Sequence, residues 1–568
     1  MDVAFLKVLQ MFLSKIEGRI SGFAISRNIS GLILSLFVAG LVFISPSAQT
    51  VVEPELPRVF LNTTYIPQNG QIINVAKDGD LQAALNAAKP GDTIILSPGA
   101  TFTGNFILPA KSGEGWIVIR PDIPDYALPA PGNRISPLYS GVLPKIFSPN
   151  ADAAIETIKG AHHYRLIGLE LGVPENVRVN YGIVRLGDGS NGQNTLDGVP
   201  HDIIIDRCYI HGNSTGSISR GIALNSARTA VIDSYITECH EIGTDTQAIC
   251  GWNGPGPFKI VNNYLEGAAE NFMLGGADSS IPNMVPEDIE FRLNHCYKPL
   301  RWKIDDPGYG GIRWGVKNLF ELKNARRVLV EGNIFENCWV EGQNGFAVLF
   351  TPRNEEGGAP WSVVEDVTFT NNIVKHSAGG VNILGKDDIH PSGQGKRIKI
   401  KNNLFMDIGG SRWGKNGIFL QVTNIPNVLV DHNTVIHTGN IITAYGEPCT
   451  DFIFTNNIMR HNEYGIIGDG TNTGNLTINT YFPSLTLMKN VLVGGNGNNY
   501  PGENFFPVSV NEIGFTSIEN AVYSLNLTSP YKNAGTDGKD LGCDFDELMK
   551  ATGQVQILFS PIRPNRVR

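Results

Sequence analysis

From about residue 160 the chain repeats one arrangement of apolar and polar positions: a strand-length run of alternating character, then usually an asparagine, then two residues that are mostly apolar. Ten segments carry it: IIIDRCYI (203–210), AVIDSYI (230–236), FKIVNNYL (258–265), IEFRLNHC (289–296), VLVEGNIF (328–335), VTFTNNIV (367–374), IKIKNNLF (398–405), VLVDHNTV (428–435), FIFTNNIM (452–459) and LTLMKNVL (485–492). The equivalent positions Cys208, Ser234, Asn263, Asn294, Asn333, Asn372, Asn403, Asn433, Asn457 and Asn490 recur every 24 to 39 residues, a spacing that marks solenoid repeats. Further short apolar runs follow most copies, as in GIALN (221–225), AICGW (248–252), FAVLF (346–350), GIFLQ (417–421) and GIIGD (465–469). Alternation sends one side of each strand inward, and equivalent positions of successive coils stack at about 4.8 Å. An asparagine repeated at a bend can then pass amide hydrogen bonds from coil to coil and satisfy backbone that would otherwise be orphaned. The pattern predicts an all-β protein, a right-handed parallel β-helix built of three-strand coils.

Both ends of such a solenoid need caps against edge-to-edge pairing. DLQAALNAAKPGDTIIL (80–96) reads as a short helix with Asp80 as N-cap and Pro90-Gly91 as its stop, leading into the first strand. From about residue 500 the coil period is lost, and the chain ends in a basic tail, Arg563 to Arg568. The expected organisation is a targeting segment over 1–48, an N-terminal strand and capping helix over 49–99, the β-helix over 100–499 and an irregular C-terminal cap over 500–568.

Composition narrows the class without naming a reaction. With 42% hydrophobic and 17% charged residues, 64 Gly and 33 Pro, the chain is turn-rich and folded. A net charge of −9 argues against nucleic acid as the main partner. Lys7, Lys15, Arg19 and Arg27 precede the apolar run Gly31 to Ile44 and the small residues Ser45, Ser47 and Ala48. This is an export-signal layout, its apolar run shorter than the roughly 20 residues of a permanent span. Cleavage near Ala48 leaves a secreted, periplasmic or extracellular chain with no membrane span, and an uncleaved anchor is the alternative. The seven cysteines form no C-x-x-C pair and read as buried thiols. His162-His163 has no further ligand at metal spacing in the sequence.

The segments GDTIILSPGATFTGNF (91–106) and NAGTDGKDLG (533–542), with the Asn-punctuated coils between them, resemble bacterial proteins of the pectate-lyase-like superfamily. The resemblance implies the β-helix and a polysaccharide partner. It leaves the activity open, because the superfamily includes lyases, glycoside hydrolases, epimerases, esterases, adhesins and tailspikes.

Charge distribution supplies the local signal. Residues 233–290 carry net −9 and residues 298–327 net +5, so opposite blocks abut in neighbouring coils. That suits β-elimination of a uronate-containing, acidic polysaccharide, in which cations neutralise the sugar carboxylate and a base removes the adjacent C5 proton. Lys303 and Arg301 are the expected catalytic residues, following the Lys or Arg acceptors that the resemblance implies. Asp245, Glu270 and Asp278 are the expected ligands of a calcium ion. Gln247, Trp252, Asn253, Trp302, Lys317 and Lys323 are the expected substrate-binding residues, with Trp314 as a further platform. Glu270 and Arg301 each lie seven residues after a repeat asparagine, which predicts that they stack one coil apart as an ion pair or as part of the site. His240 is either a general base or a hydrogen-bonded loop residue. Arg397-Ile398-Lys399 occurs without any Gly-His-Gly, so its match to a polygalacturonase-type site reads as accidental. The working expectation is a polysaccharide lyase. The alternatives are a non-catalytic glycan-binding or surface-structural β-helix, and a glycoside hydrolase using paired acids such as Asp305-Asp306 or Asp387-Asp388.

Overall fold

The computed structural model describes residues 52–414 and 417–556; the targeting segment 1–48 and the basic tail lie outside them. Three parallel sheets of 14, 13 and 12 strands run the length of the molecule, each stacked in chain order. One coil contributes one strand to each, as in His201–Asp206, Tyr209–His211 and Arg220–Leu224. The fold is the parallel β-helix that the repeat predicts. Among the described residues no helix is long and apolar enough to cross a membrane.

The core lies inside the coils and is built of like-on-like columns. Phe258, Ile289, Val328 and Val367 pair in register on the first sheet, and Phe272, Phe320, Val348 and Val381 on the third. All are fully or almost fully buried. Phe272 stacks on Phe320 with ring centroids 5.3 Å apart.

The asparagine series forms a column at the bend between first and second sheets. From Ser234 to Asn490 each backbone N–H donates to the side-chain oxygen of the next coil's asparagine at 2.8–3.1 Å. Asn504, which no repeat period announces, accepts the last of these. The residue before each asparagine from Asn263 to Asn490 is left-handed, among them Asn262, Asn371, Asn402 and Asn456, a conformation that asparagine tolerates better than most residues.

A second left-handed column runs along the start of the first-sheet strands, outside the backbone ladder. It alternates in charge: Asp202 with Arg228, Asp288 with Arg327, and Asp366 with Arg397. An extended N-terminal strap crosses this column. Glu53 pairs with Lys399 at 2.7 Å, the backbone N–H groups of Glu55 and Arg58 donate to Asp366 and Asp288, and the Leu61 carbonyl accepts from Lys259.

Helix α1 (Leu81–Ala87) begins at Asp80, whose carboxylate accepts the Ala83 N–H at 2.8 Å. It buries Leu81, Ala84 and Leu85 over the open N-terminal end. At the other end α2 (Asn475–Tyr481) places Ile478 and Tyr481 in the same core; the repeat reading gives no hint of this helix. The chain then forms an antiparallel pair, Phe515–Ser517 with Val522–Leu525, and helix α3 (Phe545–Gln556). This closing segment turns back along the left-handed bend: Asn402 accepts the Asp544 N–H at 2.6 Å, and a Cβ on Gly332 would sit 2.7 Å from the Ala551 carbonyl.

Candidate functional site

The outer face of the third sheet holds a buried polar cluster. Alternation points Phe320 and Leu322 inward and Glu321 outward, and register aligns Glu321 with Met273 and Cys250 on one side and with Leu349 and Asn382 on the other. A second column forms where the strands begin. Arg220 pairs with Gln247 and Gln247 with Glu270, and Asn318 precedes Phe320 by two residues as Glu270 precedes Phe272.

Gln247, Glu270, Asn318 and Glu321 are buried. Gln247 Nε2 donates to Glu270 Oε2 at 2.8 Å, and Asn318 Nδ2 donates to Glu321 Oε2 at 2.9 Å. Three acceptors in this column, Gln247 Oε1, Glu270 Oε1 and Asn318 Oδ1, receive no hydrogen bond from the protein. Each buried orphan of this kind costs about 1–3 kcal/mol. Lys317 pairs with Asp245 beside them, and Lys323 lies 3.9 Å from both Glu321 and Glu355. Burial, reinforced by the charges of Glu321 and Asp245, pushes the Glu270 carboxyl well above the usual range. Burial alone would lower Lys323, but Glu321, Glu270 and Glu355 raise it, so its ammonium stays charged.

Lys298 sits under this column. Its ammonium is buried and donates to the carbonyls of Gly267, Ala268 and Ala269 at 2.6–3.1 Å and to Asn271 Oδ1 at 3.2 Å. It thereby fixes the turn that delivers Glu270, and burial lowers its pKa.

Cavities flank the cluster along the same face. One of about 720 Å³ is lined by Glu156, Lys159, Tyr181, Arg185, Arg220 and Trp252; the other, of about 250 Å³, by Glu321, Lys323, Gln343, Arg353 and Asn382. Arg185 and Asn382 are separated by six strand steps, roughly 30 Å, enough for an extended chain of several sugars.

The structure brings Gln247, Glu270, Asp245, Lys317, Lys323 and, at the cavity edge, Trp252 onto this face. Trp252 donates its indole N–H to the Gly189 carbonyl and lies under the Arg220 guanidinium. Several expected partners are elsewhere. Asn253 is fully buried and ties loops together, donating to the Asp188 and Gln193 carbonyls and accepting from Ser279. Asp278 accepts the N–H groups of Glu356 and Gly358, away from Asp245 and Glu270. Trp302 and Trp314 are not sugar platforms. They are buried with Trp339 and Trp413 in a loop cluster, where His240 stacks on Trp314 at 3.8 Å and bonds Glu238.

Nor do the expected catalytic pair share this face. Arg301 pairs with Glu238 at 2.5 Å and approaches Glu266 at 3.9 Å, over the second sheet. Lys303 pairs with Asp305 and lines a separate cavity with Trp339 and Trp413. The Glu270–Arg301 stacking fails because residues 298–319 leave the coil as a long loop, so Asn318, not Arg301, reaches the register of Glu270. The abutting charge blocks do meet, chiefly as Arg326–Glu287 and Arg327–Asp288 on the first sheet. Sequence reasoning missed Asn318 and Lys298, whose only signal was membership of a basic, Asn-containing stretch.

No family model matches the chain, and no curated protein matches it in sequence. Solved structures do. A mannuronic acid specific polysaccharide family 6 lyase from human gut microbiota is 10% identical over 79% of this chain and 90% of its own, with a TM-score of 0.41. Pectate lyase Pel9A is 14% identical over 84% of this chain and 96% of its own, with a TM-score of 0.32. A GH87 alpha-1,3-glucanase from Streptomyces thermodiastaticus is 12% identical over 79% of this chain and 72% of its own, with a TM-score of 0.41.

Proposed function

We propose that this is an exported polysaccharide lyase that binds a uronate-containing glycan along the third sheet and cleaves it by β-elimination with calcium at the site. The observation that carries the reading is the column of acceptors Gln247 Oε1, Glu270 Oε1 and Asn318 Oδ1, buried and without donors, beside Lys317 and Lys323. Carbonyl and carboxylate oxygens are the donor set calcium prefers, and a cation there would take the place of the Glu270 proton and satisfy all three. These residues replace Asp245 and Asp278 as the proposed ligands, since Asp245 is engaged by Lys317 and Asp278 by backbone. Bound calcium would supply charge neutralisation of the sugar carboxylate. Lys323, kept charged by its acidic neighbours, is suited to the same task rather than to taking a proton. Glu321, oriented by Asn318 and lining the cavity, is the carboxylate placed to accept the C5 proton.

The reading is tested by incubating the protein with a panel of acidic polysaccharides, with and without calcium, and following the ultraviolet absorbance of the unsaturated product. Calcium-dependent product is expected, abolished in Lys323→Ala and Glu270→Gln and preserved in Lys303→Ala. Activity that survives Lys323→Ala and disappears in Lys303→Ala would return catalysis to the loop. A glycoside hydrolase is the second reading, favoured by the protonated state to which burial drives Glu270, which suits a general acid. It ranks below the first because it leaves the orphaned oxygens Gln247 Oε1 and Asn318 Oδ1 without a partner. New reducing ends without absorbance would select it, and binding without either product would select the non-catalytic glycan-binding alternative.

A further inference from the structure

The first sheet carries a histidine cluster that the third-sheet site does not use. Strands His162–Ile167 and His201–Asp206 pair with His162 opposite His201. The next residue of each, His163 and Asp202, is left-handed, with φ of 58° and 54°, and so leaves the ladder and turns its side chain to the outer surface beside the other. The adjacent His162-His163 pair, which offers too few ligands in the sequence, is completed across one coil boundary. His163, His201 and Asp202 present ligand atoms that all lie within 4.8 Å of one another, on half-buried residues.

The surroundings hold these groups in place. His162 Nδ1 and His163 Nδ1 are 2.7 Å apart, a hydrogen bond that fixes the His163 ring. His162 lies parallel to His201 at 5.0 Å, and Trp116 packs edge-on to His163 at 5.2 Å. Asp202 is shared: His201 Nδ1 is 2.6 Å from its Oδ2, and Arg228 bonds both of its oxygens at 2.8–3.1 Å.

We propose that His163, His201 and Asp202 bind one divalent first-row transition-metal ion of the zinc class, with His162 as the outer hydrogen-bond partner of His163. Two imidazole nitrogens and one carboxylate oxygen are the donors such ions select, whereas calcium and magnesium take oxygen. Metal–ligand distances of about 2 Å place tetrahedral donors roughly 3.4 Å apart, so the present separation closes with small side-chain movements and a solvent oxygen as fourth ligand. Arg228 keeps one carboxylate oxygen while the metal takes the other. Bound ion would clamp two successive coils near the N-terminal end of the solenoid.

The test uses the untagged chain, stripped with a chelator and titrated with Co²⁺ and then Zn²⁺. One equivalent of Co²⁺ is expected to give the visible bands of a tetrahedral nitrogen–oxygen site, and Zn²⁺ to displace it and raise the melting temperature, with no such rise in Ca²⁺. His201→Ala and Asp202→Asn should each weaken Co²⁺ binding strongly, and His162→Ala by about tenfold to a hundredfold, as loss of an outer partner does. Arg228→Ala, which removes a competing cation, should tighten it. A spectroscopically silent Co²⁺ titration of the parent chain overturns the proposal whatever the variants do. So does a tetrahedral spectrum that persists unchanged in Asp202→Asn, the substitution least able to disturb the fold.

Discussion

At the scale of single residues, buried charge decides behaviour. Glu266 accepts from Tyr264 at 2.7 Å, and burial pushes its pKa from 4.5 to about 7. Below the lower value both folded and unfolded chains hold the proton, and between the two only the folded chain does. Its contribution to stability is therefore present in acid and is lost as pH rises to about 7, by about 3 kcal/mol. Glu266→Gln should remove that slope, so that its urea midpoint exceeds the parent's at about pH 8 by more than it does at about pH 5. An unchanged difference across that range would show that Glu266 titrates normally. Lys298 is the opposite case, a cation whose donors are all used. Lys298→Met would remove the donor that three carbonyls and an amide oxygen share and should cost roughly 3–5 kcal/mol in a denaturant titration. It should also weaken calcium binding at Glu270, because the turn that carries Glu270 loses its anchor. Neither role was legible in the sequence. An acidic or basic residue in a coil carries no mark of whether its side chain turns into the bend or out to solvent.

At the scale of elements, the asparagine column is the connecting device between coils. Asn333 donates to the Phe291 carbonyl and to Asn372, and it accepts the Asn294 backbone N–H. Asn333→Ala should destabilise by roughly 2–4 kcal/mol, the sum of a few buried hydrogen bonds, as read from the thermal midpoint. A loss below that of an exposed Asn→Ala control would mean that the column is decorative. This element was readable in advance because it repeats: one bend needs one residue type, and the requirement recurs at every coil. Third-sheet strands were readable for the same reason. Their outward residues were not assignable, because each strand is only three to six residues long and begins after a loop of variable length. The left-handed charged column escaped notice because its members, Asp202, Arg228, Asp288, Arg327, Asp366 and Arg397, look like ordinary alternating polar positions.

At the scale of the whole molecule, both terminal segments run back over the solenoid and cover its two left-handed columns. The N-terminal strap supplies backbone donors to Asp288 and Asp366, carboxylates that Arg327 and Arg397 hold below the usual range against the opposing effect of burial. A chain beginning after Gln68 would lose both bonds and the Glu53–Lys399 pair. It should be less stable by roughly 3–6 kcal/mol, two charge-assisted hydrogen bonds at about 1.5–3 kcal/mol each, with the coils still folded by far-ultraviolet circular dichroism. Equal stability of the two chains would show that the strap is a passenger.

The sequence alone determined the solenoid, the asparagine column and the helix at Asp80, since each follows from a local rule applied in register, where inward apolar residues stack on their own kind at strand spacing. Tertiary structure alone decided the site. Residues 298–319 carry Arg301 and Lys303 away from Glu270 and return with Asn318 and Glu321 in their place, and the coil boundary sets His201 and Asp202 against His163. In both places the partners are one turn apart in space and tens of residues apart in the chain, and only the lengths of the intervening loops, closed by folding, set which side chains meet.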